Sequence, residues 1–316
     1  MSNEFETPIL FLIFNRPDTT QQVFNQLKQL KPKYLFVAAD GPRLNKPGEF
    51  EICLETRNII NQIDWDCKVK TLFRDENSGC GIAVSSAISW FFEQVEYGII
   101  LEDDCLPDLS FFPYCEELLI RFKDNQKIMM IGGNNFQNGI QRGDGSYYFS
   151  NFGNIWGWAS WRRAWQHYKR EIRVDKLFFS SLNKGIINNW KERKYWNNKL
   201  LKVVNGRIDT WDYQWIHAIW KNNGYSITPN CNLVVNLGFR NASTHTFLHD
   251  SFKEIENFQK IELPLIHPEI KVDQAADRQT FKNVFGYNFK RLFRLYRENN
   301  LFDLIQHILK KLTSNL

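Results

Sequence analysis

Three consecutive acids, Glu102, Asp103 and Asp104, are the residues of this chain best placed to do chemistry. They close an apolar run at 98–101, which reads as a strand covered on both faces. Adjacent carboxylates repel, and burial at a strand end adds a desolvation cost. A divalent cation removes the conflict, and hard oxygen donors suit Mg2+ or Mn2+. In an open α/β sheet, ligands bind beyond the carboxyl ends of the strands. The stretch therefore reads as a strand that delivers carboxylates to a metal and a phosphate-bearing ligand. The competing reading is a polar turn, because acidic turn clusters are common.

The elements that must position these acids follow from the N-terminal pattern. Residues 8–14 form a short apolar run, followed by Asn15-Arg16-Pro17-Asp18-Thr19-Thr20, a turn and a helix start with Thr or Asp as cap. The helix carries Val23, Phe24, Leu27 and Leu30 on one face and stops before Pro32. A second strand over 34–39 ends at Asp40-Gly41-Pro42, a turn signal. A helix over about 49–63 and a strand over 67–73 follow. The polar loop from Arg74 to Gly81 leads into a helix over 82–94. This βαβαβαβ order predicts an α/β fold, doubly wound around a mostly parallel sheet. Asn15, Arg16, Asp40, Arg74 and Glu102–Asp104 then gather on one sheet edge, where such sheets bind ligands.

Beyond Pro107 the pattern predicts a helix over 109–122 and a strand over 128–131. The string Gly153-Asn154-Ile155-Trp156-Gly157-Trp158-Ala159-Ser160-Trp161, with Trp165 beyond it, is expected to form an aromatic wall facing a ligand; the alternative is a core filled with aromatics. Residues 174–206 read as helical and basic. Thr210 is read as the cap of the next helix, with Asp212 in its first turn, where a helix N-terminus favours a carboxylate. Short strands are expected over 225–229 and 233–235, and a polar loop over 238–246 carries His245. From Phe281 onward, Lys282, Lys290, Arg291, Arg294 and Arg297 interleave with apolar residues, the pattern of basic amphipathic helices. Two readings stay open for them: a peripheral membrane contact, or helices packed on their own domain.

Bulk properties bound the class. The chain has 316 residues, is 43% hydrophobic and 24% charged, and carries a net charge of +5. That composition is globular, and the mild charge does not argue for nucleic acid. The six cysteines form no Cys-x-x-Cys pair, which speaks against a zinc site and for a reducing cytosol. No signal peptide is recognisable, and no apolar run approaches the roughly 20 residues a spanning helix needs. The expected location is cytoplasmic, with the inner face of the membrane as the variant that the C-terminal helices would imply.

The order Ile9-Leu10 to Asn15-Arg16, then Ala39-Asp40, then Ile99-Ile100-Leu101-Glu102-Asp103-Asp104, then Pro107-Asp108-Leu109-Ser110-Phe111-Phe112 resembles GT-A fold glycosyltransferases. It looks most like those related to N-acetylglucosaminyltransferase I and the bacterial nucleotide-diphospho-sugar transferases of that kind. The resemblance covers roughly residues 8–250. It implies a GT-A domain over 1–250 and a C-terminal extension of amphipathic basic helices over 251–316. It also implies a metal-dependent transfer, with inversion, from a nucleotide diphosphate donor, a UDP-sugar, to a hydroxyl on a glycan, a lipid-linked intermediate or a protein. Asp104 would contact Mn2+ (or Mg2+) bridging the diphosphate. Asp103 would lie near the ribose or metal, and Glu102 near the donor sugar. Arg16 would contact the nucleotide, Asp40 the uracil, and Asp212 would be the catalytic base. Arg74 would face the nucleotide, and His245 the metal or the diphosphate.

Three other readings compete. A sugar-1-phosphate nucleotidyltransferase shares the doubly wound sheet but wants a glycine-rich phosphate loop after the first strand, where Asn15-Arg16-Pro17-Asp18 stands. A non-catalytic sugar- or nucleotide-binding module would not need the acids to hold metal. A phosphoryl hydrolase would need a nucleophile and base, and no such set stands out.

Overall fold

The computed structural model describes residues 5–174, 178, 186–187, 189–239 and 258–285. Strands and helices alternate from the start: β1 (Ile9–Ile13), α1 (Pro17–Leu30), β2 (Tyr34–Ala39), α2 (Glu49–Asn58), β3 (Lys68–Phe73), α3 (Cys80–Phe92) and β4 (Tyr97–Glu102). Then come β5 (Cys105–Pro107), α4 (Phe111–Arg121), β6 (Ile128–Gly132), β7 (Tyr147–Ser150), β8 (Trp158–Trp161) and α5 (Arg162–Trp165). The described elements close with α6 (Trp190–Val204), α7 (Asp212–Lys221), β9 (Tyr225–Pro229), β10 (Val234–Asn236) and α8 (Gln274–Thr280).

An eight-stranded sheet runs β3-β2-β1-β4-β8-β6-β9-β7. Its first four strands are all parallel. β8 runs antiparallel between β4 and β6. The strand order reverses at β1, which has β2 on one side and β4 on the other. Register aligns the strand ends there: Ile13 lies opposite Ala39, Ala39 opposite Phe73, and Leu12 opposite Glu102. The residues that follow each strand therefore emerge along one edge, at the crevice where doubly wound sheets take ligands.

The core has two layers, one on each face of the sheet, because alternate strand side chains point to opposite faces. Ile9, Phe11 and Ile13 pack with Val23, Phe24 and Leu27 of α1 and with α4. Leu10 and Leu12 pack on the other face with Ala87, Ile88 and Phe91 of α3 and with the tryptophans. β1 is apolar and buried at every position, as an interior parallel strand must be.

Several local expectations need correction. No Asp or Thr caps α1: Arg16 is its N-cap residue and Pro17 opens the helix, where a missing N–H is harmless. The Thr20 hydroxyl instead donates to the Arg16 carbonyl at 2.7 Å. α3 begins at Cys80, two residues earlier than expected. Nor do Trp158, Trp161 and Trp165 form a ligand wall, while Trp156 is half-buried against Phe136. Trp158 and Trp161 are fully buried and Trp165 nearly so, because β8 is an interior strand with both faces covered. Trp158 stacks on Trp211 with ring centroids 5.7 Å apart, so these rings are core.

Beyond the boundary expected at residue 250, described residues pack against the sheet. Ile261 and Leu265 belong to the same core layer as β1. Val272 bridges Phe149 of β7, and the Asp273 N–H donates to the Phe149 carbonyl at 2.8 Å. Residues 281–285 continue α8 as a π-helical turn. The basic residues from Lys290 onward lie outside the described residues. Among the described residues, no helix is long and apolar enough to cross a membrane.

Candidate functional site

A cleft of about 400 Å³ opens at the ends of β1 to β4. Arg16, Asp40, Arg74, Glu102 and Asp103 all line it, together with Asp209. Convergence of the strand ends follows from parallel pairing in register.

The floor is acidic. Glu102, half-buried, and Asp103, buried, face the cleft, whereas the buried Asp104 beside them does not line it. Arg16 reaches across from β1: one guanidinium nitrogen lies 2.6 Å from Asp104 Oδ2 and 3.5 Å from Asp103 Oδ1. The Phe14 N–H donates to Asp103 Oδ2 at 3.1 Å. These contacts do not balance the charge. Burial, then the charges of Asp104, Asp103 and Asp212, push the Glu102 carboxyl up to about 8. Burial and Asp104 push Asp103 up to about 7 against the pull of Arg16.

Asp104 stands at a junction. Its main-chain carbonyl accepts from the Leu237 N–H at 2.7 Å, where β5 pairs antiparallel with β10. Its Oδ1 accepts from Asn236 Nδ2 at 3.4 Å. Gly238 packs so tightly on it that a β-carbon there would stand 2.6 Å from Asp104 Oδ2. The chain beyond residue 239 carries His245, which lies outside the described residues.

Asp40 lines the cleft, but most of its carboxylate is already engaged. It accepts from Asn77 Nδ2 at 2.9 Å, from the Ser78 N–H at 3.0 Å and from the Gly79 N–H at 3.1 Å. Asp40 thus grips the loop that leads into α3. Gly41 lets that loop approach, since a β-carbon at 41 would stand 2.3 Å from the Glu76 carbonyl carbon. Arg57 ties the same two loops by donating to the carbonyls of Asp40 and Arg74, at 3.0 and 2.6 Å. The Arg74 guanidinium itself donates to Ser86 Oγ at 2.8 Å.

Asp212 opens α7 but does not cap it, and neither does Thr210: the N-cap residue is Trp211. The Thr210 hydroxyl turns to Asp212 Oδ1 instead. Burial pushes the Asp212 carboxyl upward, opposed by that hydroxyl and by the N–H groups of Tyr213 and Asp212. Its charge in turn helps to raise Glu102, so the two carboxyls lie within electrostatic reach, although Asp212 does not line the cleft.

Several residues of the cleft were not anticipated. Asn77 and Asp209 line it, and Cys80 sits on its wall, open to solvent. Partial burial and the charges of Glu102, Asp209, Asp212 and Asp40 push the Cys80 thiol up to about 11. Asp209 pairs with Arg170 at 3.4 Å. Its loop has no periodicity, so only its place beside Asp212 could have signalled it.

The donor set suits a hard divalent cation. Glu102, Asp103 and Asp104 offer carboxylate oxygens, and the Arg16 guanidinium already faces Asp103 and Asp104 as a counter-charge. Among the described residues, no three His, Cys, Asp or Glu side chains converge as a ready-made metal cluster.

No protein-family profile matches the chain, nor does any curated protein sequence. Solved structures similar to it include mouse xyloside xylosyltransferase 1, at 10% identity and a TM-score of 0.36 over 84% of this chain and 98% of that one. HddC from Yersinia pseudotuberculosis matches at 10% identity and a TM-score of 0.32, over 50% of this chain and 77% of that one. The 4-diphosphocytidyl-2C-methyl-D-erythritol synthase from Anaerococcus prevotii matches at 8% identity and a TM-score of 0.32, over 62% and 96%. At TM-scores this low, neither family nor activity follows from them.

Proposed function

We propose that this chain is a glycosyltransferase of the GT-A kind, taking a sugar from a nucleotide diphosphate donor, a UDP-sugar, to an acceptor hydroxyl with inversion. The observation that carries the reading is the placement of Glu102, Asp103 and Asp104 at the strand-order reversal, faced by Arg16, with Asp212 close enough to raise Glu102.

In this reading Asp104 would hold Mn2+ or Mg2+ together with His245, and Asp103 would lie beside the ribose or the metal. The cation would supply Lewis-acid stabilisation of the leaving diphosphate. Arg16 stands beside the same place and adds a fixed positive charge toward the leaving group. Glu102 accepts hydrogen bonds from the donor sugar. Arg74 lies toward the nucleotide, and Asp40 offers its remaining oxygen capacity to the base while holding the 77–79 loop. Asp212 takes the proton of the attacking hydroxyl. A carboxyl raised by burial is a better proton acceptor than a solvated one, which suits that role. Inversion then needs one displacement and no covalent intermediate.

The test is calorimetric titration of UDP and a panel of UDP-sugars, with Mn2+ and with a chelator, into wild type and Asp104→Ala. Mn2+-dependent binding that Asp104→Ala removes is the expected result. In parallel, Asp212→Asn should abolish transfer and leave donor binding intact. UDP binding that is absent in both conditions would overturn the nucleotide assignment. Donor binding lost in Asp212→Asn would remove that residue's role as base.

A further inference from the structure

Gly81 lies in the first turn of α3 with an ordinary helical backbone, so nothing in its φ requires glycine. Its surroundings do. A β-carbon on Gly81 would stand 2.4 Å from Asp209 Oδ1, 2.5 Å from Arg170 Nη1 and 2.9 Å from the Thr210 carbonyl oxygen. The first two atoms end flexible side chains that can swing away. The third is main chain and cannot move without moving its residue.

That residue holds Asp212. The Thr210 hydroxyl donates to Asp212 Oδ1, and the Thr210 carbonyl accepts from Gln214 Nε2 at 2.8 Å. The strap 209–212 is thus pressed flat on the start of α3 at the one helical position without a side chain. The neighbouring Gly79 does the same on the other side of Cys80, with a β-carbon there 2.8 Å from Asp209 Oδ2.

We propose that Gly81 is a positioning residue: it seats Thr210 against α3 and, through the Thr210 hydroxyl, fixes the carboxylate of Asp212 beside the acidic floor. The inference rests on the reading of Asp212 as the base. Alanine is the better helix former, so Gly81→Ala should favour α3 locally while displacing the strap.

The experiment has two arms. The first needs no substrate. Amide hydrogen exchange on the full chain should accelerate over 209–214 in Gly81→Ala, with α3 as protected as in wild type. Unchanged exchange over 209–214 would overturn the proposal. The second arm follows Mn2+-dependent UDP release from the UDP-sugar that wild type hydrolyses fastest. Gly81→Ala should lose about tenfold or more in kcat, since displacing a reacting group by about an ångström costs that much, with donor KM within twofold. Thr210→Val keeps the backbone and removes only the hydroxyl, so it stands in if Gly81→Ala fails to fold. It should lose kcat in the same way, and Thr210→Ser should restore it. Wild-type kcat in both Gly81→Ala and Thr210→Val, with Asp212→Asn inactive, would overturn the positioning role alone. Wild-type kcat in Asp212→Asn would overturn the base assignment and the inference together.

Discussion

Arg16 Nη1 lies 2.6 Å from Asp104 Oδ2, joining the end of β1 to the end of β4 across the point where strand order reverses. The pair is asymmetric. Asp104 is nearly enclosed, whereas the Arg16 side chain is 52% exposed. Burial alone would disfavour the guanidinium's charge, and the facing carboxylates more than restore it.

Arg16→Ala leaves buried acids facing each other without that counter-charge. Removing one partner of a fully buried pair costs about 3–5 kcal/mol, and half-exposure of Arg16 brings the expected loss to roughly 1–2 kcal/mol. Urea denaturation near neutral pH measures it. Added Mn2+ should recover much of the loss, because a divalent cation answers the same excess of negative charge. Equal Mn2+ response, or none, in both proteins would mean that the acids do not exchange guanidinium for metal.

Gly41→Ala tests the clamp between the β2 and β3 loops. The new β-carbon would fall 2.3 to 2.5 Å from main-chain atoms of Glu76, and main chain has no rotamer to escape into. Overpacking of this kind costs about 1–3 kcal/mol, which should lower the melting temperature by roughly 3–8 °C. The Asn77, Ser78 and Gly79 donors would leave Asp40, so UDP binding should weaken too. A variant with wild-type melting temperature and wild-type UDP binding would show that the loop adapts and that Asp40 does not depend on it.

How far the sequence could be read depends on the kind of signal. The buried strand β1 and the place of the acids at the end of β4 were legible because an unbroken apolar run marks an interior parallel strand and its first polar residues mark where it ends. Their meeting with Arg16, Asp40 and Arg74 needed only topology. Trp158 and Trp165 were not legible, since the same ring serves a core or a pocket and only the neighbouring strands decide. Asp40 looked like a free acid at a strand end, and the amides of Ser78 and Gly79 reach it only after β3 is paired. Asp209 and Gly81 carry no pattern of their own. Their roles come from a contact between segments more than a hundred residues apart.

Asp277 makes the last prediction, and it concerns how residues 258–285 are held. Its buried carboxyl accepts from Ser150 Oγ at 2.6 Å, Asn151 Nδ2 at 2.8 Å and the Asn151 N–H at 3.2 Å. Burial nevertheless raises it from 3.8 to about 6. A raised acid keeps its proton longer when folded than when unfolded. The penalty is therefore absent below about pH 4, grows as pH rises through the interval to about 6, and is complete above it; its size is ~3 kcal/mol from ~1.4 kcal/mol per pH unit. Asp277→Asn has no such titration. The stability of wild type minus that of Asp277→Asn, from urea denaturation at pH 4, 5, 6 and 7, should fall by up to about 3 kcal/mol and then level off. A difference that is flat over this range would mean that the three donors offset burial fully. Asp277 would then fasten α8 to β7 as a carboxylate at no electrostatic cost.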